Sequence, residues 1–575
     1  MEQSKAPEVP LSEDWASVPW RKLEQHLYRL QKRIFKASQQ GDVKTVQKLQ
    51  QLLMKSRSAR LLAVRRVTQD NQGKKTAGID GVKSINPNQR MDLVEAIHPR
   101  FCYHRTPQPL RRVWIPKPGK TEKRPLGIPV MYDRASQALV KQAMEPQWEA
   151  KFEANSYGFR PGRSAHDAIG AIFNCIRTQS KLVLDADIKG CFDNINHQAL
   201  LAKLATYPAI RRLIKGWLKA GVMEGLELTP TTAGTPQGGV ISPLLANIAL
   251  YGMEEAMTTA YLSETHRRSR RYAPYLIRYA DDFVILHQEE KEIIRAQRVV
   301  AEWLASMGLE LKPSKTRLSH TLLDYQGNQG FAFLGFSIRQ FFVGKTQTRV
   351  HHQGKPLGFK TIITPSTTNI QRHMQNIRSV LRKSQSFPQE KLIAQLNPII
   401  QGWAMYYRTV AASKSFAKCD QQLMRMLWRR MIRRHPHKGA RWVKNKYWRT
   451  IAGKSWTYAT PEGPKERRLR QHADTAIKRH VKVKGDASPF DGNLLYWAKR
   501  LKDHPLTTTK LGRLLQRQYG KCRWCSLLFR EHDHIEIDHI IPRSMGGRDD
   551  SSNYMALHGH CHDQKHAIAG GIHVN

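Results

Sequence analysis

The stretch LIRYADDFVIL, residues 276–286, decides how this chain is read. Two apolar runs bracket Tyr279-Ala280-Asp281-Asp282, the pattern of a hairpin with a carboxylate pair at its tip. A second acidic stretch lies upstream, KLVLDADIKGCFDNI at 181–195. Side chains alternate along a strand, so Leu182, Leu184, Ala186 and Ile188 fall on one face and Val183, Asp185 and Asp187 on the other. One face can pack while the other presents metal ligands. YADD alone is weak, because four residues recur by chance and Asp-Asp commonly sits in turns. The two stretches together are much more specific. Carboxylates are the hard ligands Mg²⁺ prefers. Nucleotidyl transfer uses two such ions about 4 Å apart, one activating the attacking 3′-hydroxyl and one steadying the leaving pyrophosphate. Asp187 and Asp281 are expected to bridge both ions, with Asp282 in support.

Composition points to a polyanionic partner. The 575 residues hold 94 Lys plus Arg against 47 Asp plus Glu, a formal charge of +47. Self-repulsion of that size is relieved by a phosphate backbone, through counterion release. The length suggests about three or four domains, and an apolar fraction of 40% is enough to build their cores. No run of about 20 apolar residues marks a membrane span. The opening MEQSKAPEVPLSEDW carries acids and no apolar core, so neither a signal peptide nor a transit peptide is expected. Seven cysteines, four scattered and three near the C-terminus, argue against a disulfide scaffold and for one metal site in a reducing compartment. That compartment would be the bacterial cytoplasm or an organelle.

Outward from the acidic strands, Leu23, Leu27, Leu30 and Ile34 recur at helical spacing near the N-terminus. Residues 110–340 alternate β-branched runs with helical stretches, an α+β pattern. Residues 366–435 read as helices. Between Arg425 and Lys484 there are 19 Lys or Arg against three acids, interleaved with Trp428, Trp442, Tyr447, Trp448 and Trp456. Basic residues mixed with aromatics suit phosphate contact and base stacking; a solvated charged surface with buried Trp anchors is the alternative.

Seven blocks then occur in one order: RRVWIPKPGKTEKRPLGIP, NSYGFRPGRSAHDA, LDADIKGCFDNI, AGTPQGGVISPLLANI, YADDFVIL, GLELKPSKT and FAFLGF. In these the chain resembles the group II intron-encoded proteins, which combine reverse transcriptase and maturase activities. The resemblance implies a right-hand polymerase of fingers and palm over 71–365, after an N-terminal helical extension over 1–70. It implies that Lys117 and Arg124 hold the incoming dNTP triphosphate, that Phe192 crowds a ribose 2′-hydroxyl, and that Gln237 with Gly238 and Gly239 lets the backbone approach template and primer. Surface charge, a plain core aromatic and a simple turn are the respective alternatives. Lys315 matches a position proposed to protonate pyrophosphate, an ordinary surface lysine being the alternative. LNPIIQGWAMYYR and SFAKCDQQLMRMLWRRMIRRHP resemble the family's maturase domain X, an α-helical thumb over 366–440. There Arg408, Arg429, Arg430, Arg433 and Arg434 are expected to meet phosphates, and a core stripe is the competing reading for Trp403, Tyr406 and Tyr407. A basic DNA-binding region is expected over 441–505.

The C-terminal unit, 506–575, carries two signals. Cys522 and Cys525 pair with His558 and Cys561, a plausible tetrahedral zinc site, with His560 or His562 as rivals for the third place. IDHIIP, Asn553 and CHDQK resemble the HNH endonuclease motif, a small ββα-metal unit. The resemblance makes His539 the general base, Asp538 and His562 the ligands of a catalytic Mg²⁺ or Mn²⁺, and Asn553 the residue that fixes the hairpin. A His beside a carboxylate suits the base role, its pKa being near neutrality; a zinc-only knuckle is the rival. The implied function binds group II intron RNA, assists splicing, nicks double-stranded target DNA and copies the intron from the new 3′ end using dNTPs. A splicing-only RNA binder and a freestanding homing endonuclease are the competing classes.

Overall fold

The computed structural model describes residues 15–116, 122–225, 227–262, 273–344, 346, 348, 350, 356–461, 467–529 and 533–571. Three helices open it, Trp20–Gln39, Val43–Lys55 and Arg57–Arg65. Leu27, Leu30 and Ile34 form the buried face of the first, as their spacing predicts. Asp42 and Ser56 start the other two by accepting hydrogen bonds from the amides of Thr45 and Ala59, satisfying donors that a helix N-terminus leaves open. All three pack on the long helix Met131–Glu149, and their apolar residues join one core with Leu139, Leu184 and Leu245.

Strands β1 (Leu110–Pro116) and β2 (Lys123–Ile128) form an antiparallel hairpin. Strand β3 (Leu182–Asp187) belongs to a second sheet, whereas β4 (Val222–Glu224) and β5 (Glu227–Thr229) extend the first in the order β2-β1-β4-β5. The second sheet is completed by β6 (Tyr275–Tyr279), β7 (Asp282–His287) and β8 (Arg317–His320), in the order β6-β7-β3-β8. The alternation expected of β3 is realised. Leu182, Leu184, Ala186 and Ile188 face the helical core, and Val183 faces a second core with Val284, Leu286, Phe333 and Phe336. Strands β9 (Phe331–Phe333), β10 (Phe336–Phe342) and β11 (Phe359–Pro365) form a three-stranded sheet beside it.

Helices Thr367–Lys383, Gln389–Tyr407 and Ser413–Arg434 follow, packed through Ile377, Leu396, Ile400, Leu423 and Leu427. Strands β12 (Trp448–Ile451) and β13 (Lys454–Tyr458) form a hairpin against them. Trp403, Tyr406 and Tyr407 pack into the protein rather than project from it, Tyr406 stacking on Phe336 at 5.3 Å. The basic segment 441–505 divides between neighbours: Val443, Tyr447, Trp448 and Tyr458 join the helical core, while Val483 and Trp497 join the core beneath β7. Finally, β14 (Ile535–His539) pairs antiparallel with β15 (Tyr554–His558), and helix Gly559–Gly571 packs across both. The whole is a mixed α/β multidomain chain. No described helix is long and apolar enough to cross a membrane.

One buried carboxylate fastens the late segment to the early one. Asp167 is inaccessible to solvent. It accepts hydrogen bonds from His480 Nε2 at 2.9 Å, the Val483 amide at 2.7 Å and Arg500 Nη2 at 3.0 Å. Burial alone would push its pKa up, but these donors outweigh it and hold the carboxyl well below the usual range. Gly162, at φ +77°, lies where an added Cβ would meet the Trp497 ring at 2.4 Å. Asp167→Ala strands Arg500 and His480 in a buried site and is expected to cost about 3–5 kcal/mol locally. Limited proteolysis should then cut within 478–504, where the parent chain resists.

Candidate active sites

Strands β3 and β7 pair in a register that sets Asp187 directly opposite Asp282. Asp281 precedes Asp282 at the β6–β7 turn, so all three carboxylates meet at one end of the sheet. Ala280 takes a left-handed φ of +57° there, which an L-residue holds only when its surroundings impose it. Here they do. Arg278, 1% exposed, donates from Nη1 to the Ala280 carbonyl and to Asn247 Oδ1, both at 3.3 Å. Asn247 Nδ2 donates in turn to the Gly158 carbonyl at 2.8 Å. The segment around Gly158 runs along β6, with the Tyr157 amide on Arg278 O and the Arg278 amide on Asn155 O, each at 2.9 Å. A Cβ on Gly158 would lie 2.3 Å from the Ala280 nitrogen, so only glycine allows this approach.

The electrostatics are those of a cation site. Burial, then the neighbouring carboxylates of Asp281 and Asp187, push Asp282 up to about 7. Burial, with Asp187 adding, also raises Asp281, opposed by Lys315 and Arg124. Burial pushes Asp185 up to about 6. The Lys315 ammonium rests on Asp187 Oδ2. A cavity of about 220 Å³ opens beside Asp185, Asp187, Asp282, Lys315, Arg317 and Phe333. Three hard oxygen donors crowded at one end of the sheet, with a lysine held among them, fit divalent cations.

The other expected site residues fall around this point. Arg124, on β2, is near enough to stabilise the Asp281 carboxylate. Phe192 is half-buried and meets Phe159 edge-on at 6.0 Å. The Gln237 carbonyl accepts from the Gly127 amide at 2.7 Å, pinning its loop to β2. Gly238, at φ +117°, sits where a Cβ would lie 2.8 Å from Gly127 O. Lys117 lies outside the described residues.

Two further sites lie in the C-terminal unit. Cys522, Cys525, His558 and Cys561 present ligand atoms all within 4.8 Å of one another, every residue buried. His560 and His562 turn elsewhere, to Glu24 at 3.6 Å and Glu536 at 2.9 Å. Three thiols and an imidazole in a buried cluster fit one tetrahedral metal ion. Beside it, Asp538, His562 and His566 also converge within 4.8 Å, with Lys565 Nζ on Asp538 Oδ2 at 2.6 Å. His539 ends β14, and its Nε2 lies 3.0 Å from Asp549 Oδ1. Asn553 clamps the loop between: its Oδ1 accepts from the Ile541 amide at 2.9 Å, and its Nδ2 donates to Ile541 O at 3.0 Å and Arg548 O at 2.8 Å.

Several residues here escape the sequence reading. His566 stands four after His562, one helical turn on, a spacing that could have flagged it. Arg278 is a charge inside an apolar run, which marks a buried role only once its partners are known. Asp549 carries no signal at all. Conversely, three of the arginines expected to meet phosphate are engaged within the protein, Arg408 donating from Nε to the Ala476 carbonyl at 3.1 Å. Arg430 donates to the carbonyls of Leu381 and Ser384, and Arg434 to Phe387 O at 2.9 Å. Arg430 thereby satisfies carbonyls at the C-terminal end of helix Thr367–Lys383, and Arg434 one in the loop that follows it.

The comparisons with known proteins divide the chain in the same order. The family model described as reverse transcriptase (RNA-dependent DNA polymerase) matches residues 115–338, and that of the N-terminal domain of reverse transcriptase matches 15–97. The group II intron maturase-specific domain matches 370–448, and HNH endonuclease matches 522–567. Protein YkfC of Escherichia coli is 34% identical over 311 residues, 48% of this chain and 78% of that protein. Group II intron-encoded protein LtrA of Lactococcus lactis is 32% identical over 273 residues, spanning 46% of this chain but only 44% of LtrA. Maturase-like protein 1 of Euglena gracilis is 27% identical over 396 residues, 68% of this chain and 76% of that protein.

A metal ion held by the four-donor cluster would couple its binding to folding. A strong chelator is therefore expected to unfold the C-terminal unit alone. Hydrogen exchange should lose protection at Met555, Ala556 and Leu557 while Leu184 and Ile285 keep theirs.

Proposed function

Because the chain belongs to the reverse transcriptase/maturase proteins encoded by group II introns and carries an HNH endonuclease unit, we propose that it binds its intron RNA, assists splicing, nicks one strand of a DNA target and copies the intron from the exposed 3′ end. The observation that carries this reading is the convergence of Asp187, Asp281 and Asp282 at one end of the β3–β7 ladder.

In this reading residues 71–365 act as fingers and palm and 366–440 as thumb and maturase domain X. Asp187 and Asp281 would hold a pair of Mg²⁺ ions, with Asp282 in support. When bound, those ions supply activation of the primer hydroxyl and neutralisation of the leaving pyrophosphate. Arg124, with Lys117, holds the triphosphate of the dNTP; a guanidinium offers forked contacts to phosphate oxygens. Phe192, propped by Phe159, crowds the place of a ribose 2′-hydroxyl and so favours dNTPs. Gln237 and its glycines bring the backbone close to template and primer. Lys315, resting on Asp187 beside the cavity, would be the residue to give a proton to pyrophosphate. The basic surface of 441–505 follows target DNA.

In the nuclease unit Asp538, His562 and His566 would hold a Mg²⁺ or Mn²⁺ ion, beside the Lys565 ammonium that pairs with Asp538. His539 takes the proton from the attacking water. Cys522, Cys525, His558 and Cys561 would hold a structural Zn²⁺. Asp281→Ala is expected to abolish primer extension on an RNA template, a loss of at least about a thousandfold, while leaving DNA nicking intact. His539→Ala should do the reverse. Synthesis retained by the first variant would remove the proposed polymerase site.

A further inference from the structure

The chemistry of a general base depends on which ring nitrogen carries the proton. At His539 two neighbours make opposite demands on Nε2. Asp549 Oδ1, 3.0 Å away, can only accept, so it requires hydrogen on Nε2. Arg543 Nε, 3.3 Å away, can only donate, so it requires a bare Nε2. The conflict is resolved on Asp549 itself, because Arg543 Nη2 finds a full acceptor in Asp549 Oδ2. Tyr554, the register partner of His539 across β14 and β15, donates its hydroxyl to Asp549 Oδ1 as well. Its ring lies 5.1 Å from the imidazole. The carboxylate is thus fixed by three side chains from both strands and the loop between them. Nδ1 has no hydrogen-bond partner among the described residues.

We infer that Asp549 is a positioning residue for strand cleavage: it holds His539 in the Nε2–H tautomer and leaves the Nδ1 lone pair open to water. The inference rests on the nuclease reading above and adds to it the residue that selects the base. In the step it serves, Nδ1 accepts a proton from water as the water oxygen bonds to phosphorus. The bond from phosphorus to the 3′ oxygen breaks, and that oxygen leaves with the electron pair and takes a proton from solvent. The imidazolium so formed keeps its Nε2–H on the Asp549 carboxylate. Asn553 cannot serve in its place, since all its described side-chain bonds go to the backbone of Ile541 and Arg548.

The test uses the full chain in complex with its RNA and a 5′-labelled duplex target, under single-turnover conditions. Asp549→Asn keeps the shape but offers an N–H to Nε2, favouring the tautomer with a blocked Nδ1. Nicking is expected to fall about a hundredfold or more, within the range that general-base catalysis contributes. Asp549→Glu should recover to within about tenfold of the parent chain. DNA affinity should stay within about twofold for both, and primer extension unchanged. In chains labelled with ¹⁵N-histidine, the His539 resonances should report Nε2–H in the parent and Nδ1–H in Asp549→Asn. Nicking by Asp549→Asn within about threefold of the parent, where His539→Ala is dead, would overturn the inference and leave the nuclease reading standing. Nicking that survives His539→Ala would remove both.

Discussion

Everything in this molecule's central unit depends on holding three carboxylates together against their own repulsion. Two unit charges about 4 Å apart at a protein surface repel by about 4 kcal/mol, more than a single surface contact can offset. The chain meets this with a buried ladder. Asp187 and Asp282 are register partners in adjacent strands, and the intervening strand residues lie in two cores, one on each side of the sheet. Separating the carboxylates would mean unpacking both. The residual strain appears at Ala280, whose left-handed backbone is held by Arg278, Asn247 and the close approach of Gly158. What remains is charge awaiting a counterion, partly met by Lys315.

The units that follow in sequence are fastened to this one rather than strung behind it. Asp167 binds His480 and Arg500 across more than 300 residues of chain. Trp497 fills the space left by the missing side chain of Gly162. At the far end, Gln564 Nε2 donates to Val18 O at 3.3 Å, and His560 faces Glu24. The nuclease unit therefore rests on the first helix. The proposed sequence of cutting one strand and then extending from a nearby end would gain from such fixed geometry, because reacting groups held in place need no second encounter.

Much of this was legible in the sequence because strand periodicity and ligand chemistry are local. The alternation of LVLDAD separated packing from acidic residues correctly, and the helical stripe of Leu27, Leu30 and Ile34 is the buried one. His558 stands among the cysteines although it had rivals two and four residues on. What escaped depends on contacts between distant segments. Arg430 looks like an RNA contact until the carbonyl end of a neighbouring helix comes within reach, and Arg434 until the loop after that helix does. The segment 441–505 reads as one basic region, yet its aromatics go to two different cores, a division that charge cannot reveal. Asp549 lies ten residues from His539 in a loop rich in charge, and only the pairing of β14 with β15 brings Tyr554 and Asp549 to the imidazole.

These three aspartates are proposed to hold a pair of divalent cations. Electron paramagnetic resonance of Mn²⁺ in the complex with RNA template, a primer lacking its 3′-hydroxyl and a dNTP tests it most directly. Two spin-coupled ions about 4 Å apart are expected in the parent chain, with coupling lost in Asp187→Asn. Uncoupled manganese in the parent, or a coupled pair that survives the substitution, would contradict it.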